Sequence, residues 1–159
     1  MKTKLFLTVL TVMLAQACSA EIDIDRLESA IKKLQAYQYD KTNGADLNWV
    51  ELEIGRASVD SSVRARVEYK LIKALAQAKH NDAKQFFCRQ LRTIGSAKSV
   101  PQLESMLTDP AISHMARYAL GRIDAPQAGQ AMHRALAKTS GKIKAGLINT
   151  LVKIAYAPA

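Results

Sequence analysis

Three side chains in the segment Ser-His-Met-Ala-Arg-Tyr-Ala-Leu-Gly-Arg-Ile (113–123) could do chemistry together: His114, Tyr118 and Arg122. Their i, i+4, i+8 spacing puts them on one face of a helix, opposite Met115, Ala119, Leu120 and Ile123. An imidazole, a phenol and a guanidinium in a row can be a catalytic site, a binding stripe, or the wet side of an ordinary helix. Cys88 beside Arg89 offers a second opening, because a neighbouring cation lowers a thiol pKa. Yet Cys88 stands three residues before Leu91, on the apolar face with Phe87 and Ile94, where a cysteine behaves as an inert small hydrophobe.

Other chemistries lack their residues. His80, His114 and His133 are far apart, with no His-x-x-x-His or Glu-x-x-His spacing to hold a metal. After Asp82 the only acids are Glu104, Asp109 and Asp124, and two of them stand where helices should begin, so general acid–base catalysis by paired carboxylates has no address. Neither a Gly-x-Ser-x-Gly elbow nor a phosphate-cradling glycine loop is present. The expectation is a non-enzyme that uses no cofactor and no metal.

The elements that would position these residues repeat. Three segments overlay: FFCRQLRTIG (86–95), MARYALGRID (115–124) and GLINTLVKIA (146–155), each with a Leu-x-x-Ile, at spacings of 29 and 31 residues. Between them lie SVPQLESML (99–107) and AGQAMHRAL (128–136), which also match one another. Each unit is a pair of short helices, and self-similarity at this period predicts a solenoid. Ser99-Val-Pro-Gln102 and Asp124-Ala-Pro-Gln127 look like capping boxes with proline in the first turn. Asp109-Pro110 offers a third start, and Gly95 and Gly141 fall between helical patterns.

Upstream, 61–78 is amphipathic through Val63, Val67, Leu71, Ile72 and Leu75, and should pair with 82–95. Residues 24–38 and 45–57, turned at Asn43-Gly44, would form the first pair. The fold class predicted is all-α, an α-α superhelix of about four helical pairs over 21–159. Its best-formed repeats span 81–155, and 21–58 serves as an N-terminal cap with one face toward water. No stretch alternates with period 2, so strands are not expected. Few aromatics, 6%, and abundant Ala and Leu agree with closely packed helices.

The run SVPQLESMLTDPAISHMARYALGRI resembles HEAT repeats of the short bacterial lyase-type class. Those repeats carry Val-Pro-x-Leu on the first helix, then Asp-Pro, then Ala-x-x-Ala-Leu-Gly-x-Ile on the second. Val100, Pro101, Leu103, Asp109, Pro110, Ala116, Ala119, Leu120, Gly121 and Ile123 match, and Arg117 is a slightly displaced counterpart of an arginine usual near the second helix start. The resemblance implies a superhelix used for protein contacts. Some members help attach bilins to phycobiliproteins, a role that an exported chain argues against.

In this class the second helices line the concave side. Carrying the period across them gives a polar ladder: Gln85, Arg89 and Thr93, then His114, Tyr118 and Arg122, then Ala145, Asn149 and Lys153, with Arg92 and Lys144 flanking. Tyr and Arg are frequent interface anchors. The plainer reading is that any amphipathic helix puts something polar outside.

Location and charge complete the expectation. Lys2, Lys4 and the apolar run LFLTVLTVMLA (5–15) make residues 1–20 a secretory signal peptide, too short to span a membrane comfortably. Cleavage after Ala20 would release a mature chain with Cys88 as its one cysteine; alternatively Cys18 ends a lipobox-like Leu-Ala-Gln-Ala-Cys and carries a lipid anchor. The chain is then periplasmic or secreted, or anchored in the envelope, and meets the membrane only through that anchor. Residues 21–60 have net charge −4 and residues 61–159 have +11. In a cytosolic protein this would suggest nucleic acid; in an exported one it does not. Two functions follow. The first is protein binding or scaffolding through the concave face, by Gln85, Arg89, Arg92, His114, Tyr118, Arg122, Asn149 and Lys153. The second is a basic module for anionic envelope polymer or lipid headgroups, using Arg89, Arg92, Arg117, Arg122, Lys142 and Lys144. A merely solubilising basic surface accounts for the charge as well.

Overall fold

Helix-start signals are used in about half of the observed elements. In the computed structural model, which describes residues 22–156, the chain forms α1 (Ile24–Leu34), α2 (Ala45–Ala57), α3 (Ser61–Gln77), α4 (Asn81–Ile94), α5 (Val100–Glu104), α6 (Ser113–Leu120), α7 (Pro126–Leu136) and α8 (Gly141–Lys153). Residues 1–20, with the expected signal peptide and the candidate lipid site Cys18, lie outside the described residues. Asp23 caps α1 by accepting from the Arg26 N–H at 3.0 Å, and Asp25 and Lys32–Lys33 match the two ends of its dipole. Asp60 caps α3, accepting from the backbone of Ser62 and Val63 and from the Ser62 hydroxyl; these bonds hold its carboxyl below the usual range.

The helices pair as the period predicts, and they pack in two layers. First helices α1, α3, α5 and α7 form one layer; second helices α2, α4, α6 and α8 stack in order to form the other. The core lies between them. Leu91, Ile94, Leu120, Ile123 and Leu151 from the three Leu-x-x-Ile copies are buried, facing Leu71, Leu75, Leu103, Leu107 and Met132 of the first layer. Burying each such side chain contributes roughly 1.5–3 kcal/mol, and no single helix pair could do so alone. No strand occurs among the described residues. The chain is an α-α solenoid.

Two expected capping boxes do not form. Ser99 has helical backbone angles and makes no capping bond, because its hydroxyl donates to Glu68 Oε1 at 2.6 Å. Ser96 supplies the cap instead, accepting from the Lys98 N–H of a short 3-10 turn, Ala97–Ser99. At α7 the boundary residue is Ala125, not Asp124; it is extended, as a residue before proline must be, and Pro126 opens the helix. The first helix also stops at Leu34, before the expected residue 38. There the Gln35 carbonyl accepts from the Lys79 N–H at 2.9 Å, tying the first pair to the second. Asp82 adds a bond from the Tyr39 N–H, and Lys70 pairs with Glu28 at 2.7 Å. Of the two expected reversal glycines, Gly141 has a left-handed φ of 53°. Gly95 has an ordinary φ, but a Cβ there would meet the Leu91 carbonyl and Ile123.

A polar clamp joins α3 to the turn after α4. Glu68 is 3% exposed and accepts from the Ser96 N–H (2.6 Å), the Ser96 hydroxyl and the Ser99 hydroxyl. One turn earlier, Arg64 Nε donates to the Ile94 carbonyl at 3.0 Å. A carboxylate thus meets an N–H and two hydroxyls where the 3-10 turn begins, and a guanidinium meets carbonyls where α4 ends, each matching the local dipole. Replacing Glu68 by Ala strands the buried Ser99 hydroxyl and the half-buried Ser96 N–H and hydroxyl, so we expect a loss of about 2–3 kcal/mol in urea unfolding. Glu68→Gln, which keeps an acceptor, should lose less; a loss under about 1 kcal/mol for Glu68→Ala would contradict the clamp.

Candidate functional site

The ladder is built by three stacked second helices. Asp109-Pro110 starts its middle rung: the Asp109 carboxylate accepts from the Ala111 N–H at 2.9 Å and its carbonyl from the Ser113 N–H at 2.8 Å. From there α6 buries Ser113, Ala116, Ala119 and Leu120 and exposes His114 and Tyr118. Helix α6 ends at Leu120, so Arg122 lies in the following turn rather than on the helix. Bonds from the Arg122 and Ile123 N–H groups to Ala119 and Leu120 carbonyls tighten the chain there.

Neighbouring rungs meet between α4 and α6. The Arg92 guanidinium lies 4.4 Å from the Tyr118 ring centroid, a cation–π contact on an exposed face. Arg89, exposed, borders a shallow depression with His114, Met115, Arg117 and Tyr118. Gln85 is half-buried at the start of α4. Asn149 and Lys153 are exposed on α8, and among the described residues no hydrogen bond or ring contact links them to Tyr118. Four of the eight expected residues therefore gather: Arg89, Arg92, His114 and Tyr118.

Arg117 is the residue whose role the periodicity missed. Its Nη1 donates to Thr150 Oγ1 at 2.8 Å, and its guanidinium lies so close to Gly146 that an added Cβ would be 3.0 Å from Nε. It braces α6 against α8. Its displaced place in the repeat pattern was the available signal. A second depression opens on that side, lined by Leu107, Pro110, Ser113, His114, Arg117, Lys142, Ile143 and Leu147. It comes from α6, α8 and the segment before α6, and no single helical pattern contains it.

The charge of this surface is uncompensated. Among the described residues, the bases in ion pairs are Arg56, Arg66, Lys70 and Arg134. Arg134 grips Glu104 with two bonds of 2.9 and 2.7 Å between α5 and α7, on the first-helix layer. That grip holds the Glu104 carboxyl below its usual range. Arg89, Arg92, Arg117, Arg122, Lys142 and Lys144 have no carboxylate within 4.0 Å among the described residues.

Cys88 offers no nucleophile. It is fully buried in the core, and burial pushes its thiol up to about 12, with Arg89 opposing only weakly. Among the described residues no group of three metal-ligating side chains converges, and no helix is long and apolar enough to cross a membrane.

Stacked helix pairs with a polar, cationic second-helix face define an α-solenoid. The family model for HEAT repeats matches residues 68–152, more than half of the 159, and the chain belongs to that family. The match begins at the clamp residue Glu68 and runs through α8. No curated protein and no solved structure matches the chain. HEAT repeats generally serve as protein-interaction modules, and the family is typically a non-catalytic scaffold.

Buried Cys88 should resist iodoacetamide at pH 8 in the native chain and react once urea unfolds it, as peptide mapping by mass spectrometry would show. Rapid native labelling at Cys88 would contradict its placement in the core.

Proposed function

We propose that this is an exported scaffold that binds another protein through the second-helix face, which is concave in this class of repeat. The observation that carries the proposal is the stacked Arg92–Tyr118 pair, set among bases that have no carboxylate partner within the described residues. An aromatic ring held against a guanidinium is a low-entropy anchor of the type that dominates interfaces. Arg89 and His114 border it, while Gln85 on α4, Arg122 in the turn after α6, and Asn149 and Lys153 on α8 extend the proposed face.

Export rests on residues 1–20, and a lipid anchor at Cys18 would hold the protein at the envelope. In that compartment the partner is a protein of the envelope rather than nucleic acid. The unpaired bases also support a second reading, a module for anionic envelope polymer or lipid headgroups. Salt separates the two, since attraction between exposed charges is screened beyond roughly 8 Å at physiological ionic strength.

A cross-linked pull-down from the cell envelope tests both location and contact. A stoichiometric protein partner should be captured and lost with Tyr118→Ala/Arg122→Ala, two exposed positions whose replacement leaves the fold intact. Capture that survives the double substitution contradicts the proposed face. Retention on an anionic matrix that vanishes at moderate salt, with no protein partner captured, favours the polymer reading.

A further inference from the structure

Two depressions of the second-helix face meet at His114 and Arg117. On the α8 side the lining is apolar through Leu107, Pro110, Ile143 and Leu147, with Lys142 at its edge. On the α4 side Met115 and Tyr118 continue it, with Arg89 at the other edge. Together they form a groove across the start of α6 with an apolar floor and a base on each side. Neither Arg89, Arg117 nor Lys142 is paired with a carboxylate among the described residues.

We infer that this groove takes a short acidic peptide segment of the partner, one aliphatic side chain on the apolar floor and carboxylates against Arg89 and Lys142. The inference rests on the protein-contact reading above and names the chemistry of the partner. Charge alone would suit any polyanion. The floor makes the choice: a phosphate-bearing polymer has nothing to bury against Ile143 and Leu147, whereas a leucine side chain does. Acidic side chains flanking it complement the two edges and give the segment its register.

The test uses the purified full chain and three probes: fluorescein-labelled Glu-Glu-Leu-Glu-Glu, its equally charged relative Glu-Glu-Ser-Glu-Glu, and inorganic polyphosphate as competitor. Anisotropy should show the leucine probe binding at least about tenfold more tightly than the serine probe. Arg89→Glu/Lys142→Glu should weaken both probes about tenfold or more. Ile143→Gln should abolish the leucine preference while leaving the charge-dependent part, and circular dichroism checks that each variant is folded.

Equal affinity for the two probes, or equal displacement of both by polyphosphate, makes the groove a general polyanion surface and overturns the inference. Absence of binding by either probe overturns it as well. If the probes fail while Tyr118→Ala/Arg122→Ala still abolishes partner capture, the protein-contact reading stands and only the acidic segment falls. If capture also survives that double substitution, the reading itself falls.

Discussion

The buried carboxylate of Glu68 is the joint on which the rest of the solenoid hangs. It collects the Ser96 N–H and the Ser96 and Ser99 hydroxyls while Arg64, one turn away, holds the carbonyl at the end of α4. A bare turn between α4 and α5 would leave the buried Ser99 hydroxyl and the half-buried Ser96 groups without their partner, at a combined cost of about 2–3 kcal/mol. With the clamp closed, the chain leaves α4 in one direction only. That direction sets where α5 lies on α3, and so where α6 comes to rest against α4.

Everything on the candidate face follows from that resting place. Helix α6 presents small buried residues, Ala116 and Ala119, and lies close enough to α4 for Arg92 to cover Tyr118. On its other side Gly146 lets α8 approach, and the Arg117 guanidinium fills the gap and bonds Thr150. The same side chain that braces two repeats therefore lies where two depressions meet. At the end of the array Tyr156 folds back over Gly129 and His133 of α7, closing the first-helix layer. The carboxylate Glu104 is engaged by Arg134 on that same layer, which leaves the opposite face cationic.

Much of this was legible as pattern. Leu91/Ile94, Leu120/Ile123 and Leu151/Ile154 announced the second helices because packing repeats with the helix period. The same pattern puts Cys88 in the core, where it is fully buried. What pattern could not reach was any group whose partner is distant in sequence. Ser99 reads as a cap until Glu68, 31 residues away, takes its hydroxyl. Arg122 reads as a third rung until Gly121 ends the helix beneath it. Arg117 and Lys142 read as surface bases until α6, α8 and the segment before α6 converge around them. Local rules describe each helix, and tertiary hydrogen bonds decide what its polar side chains do.

The proposed function puts contact with a partner on the second-helix layer and not on the first. Site-specific photo-crosslinking in the native envelope tests it directly, with a photoreactive residue placed at Tyr118 in one strain and at Gln130, exposed on α7, in another. One discrete protein adduct is expected from position 118 and none from position 130. Adducts of equal yield from both positions, or from position 130 alone, would contradict it.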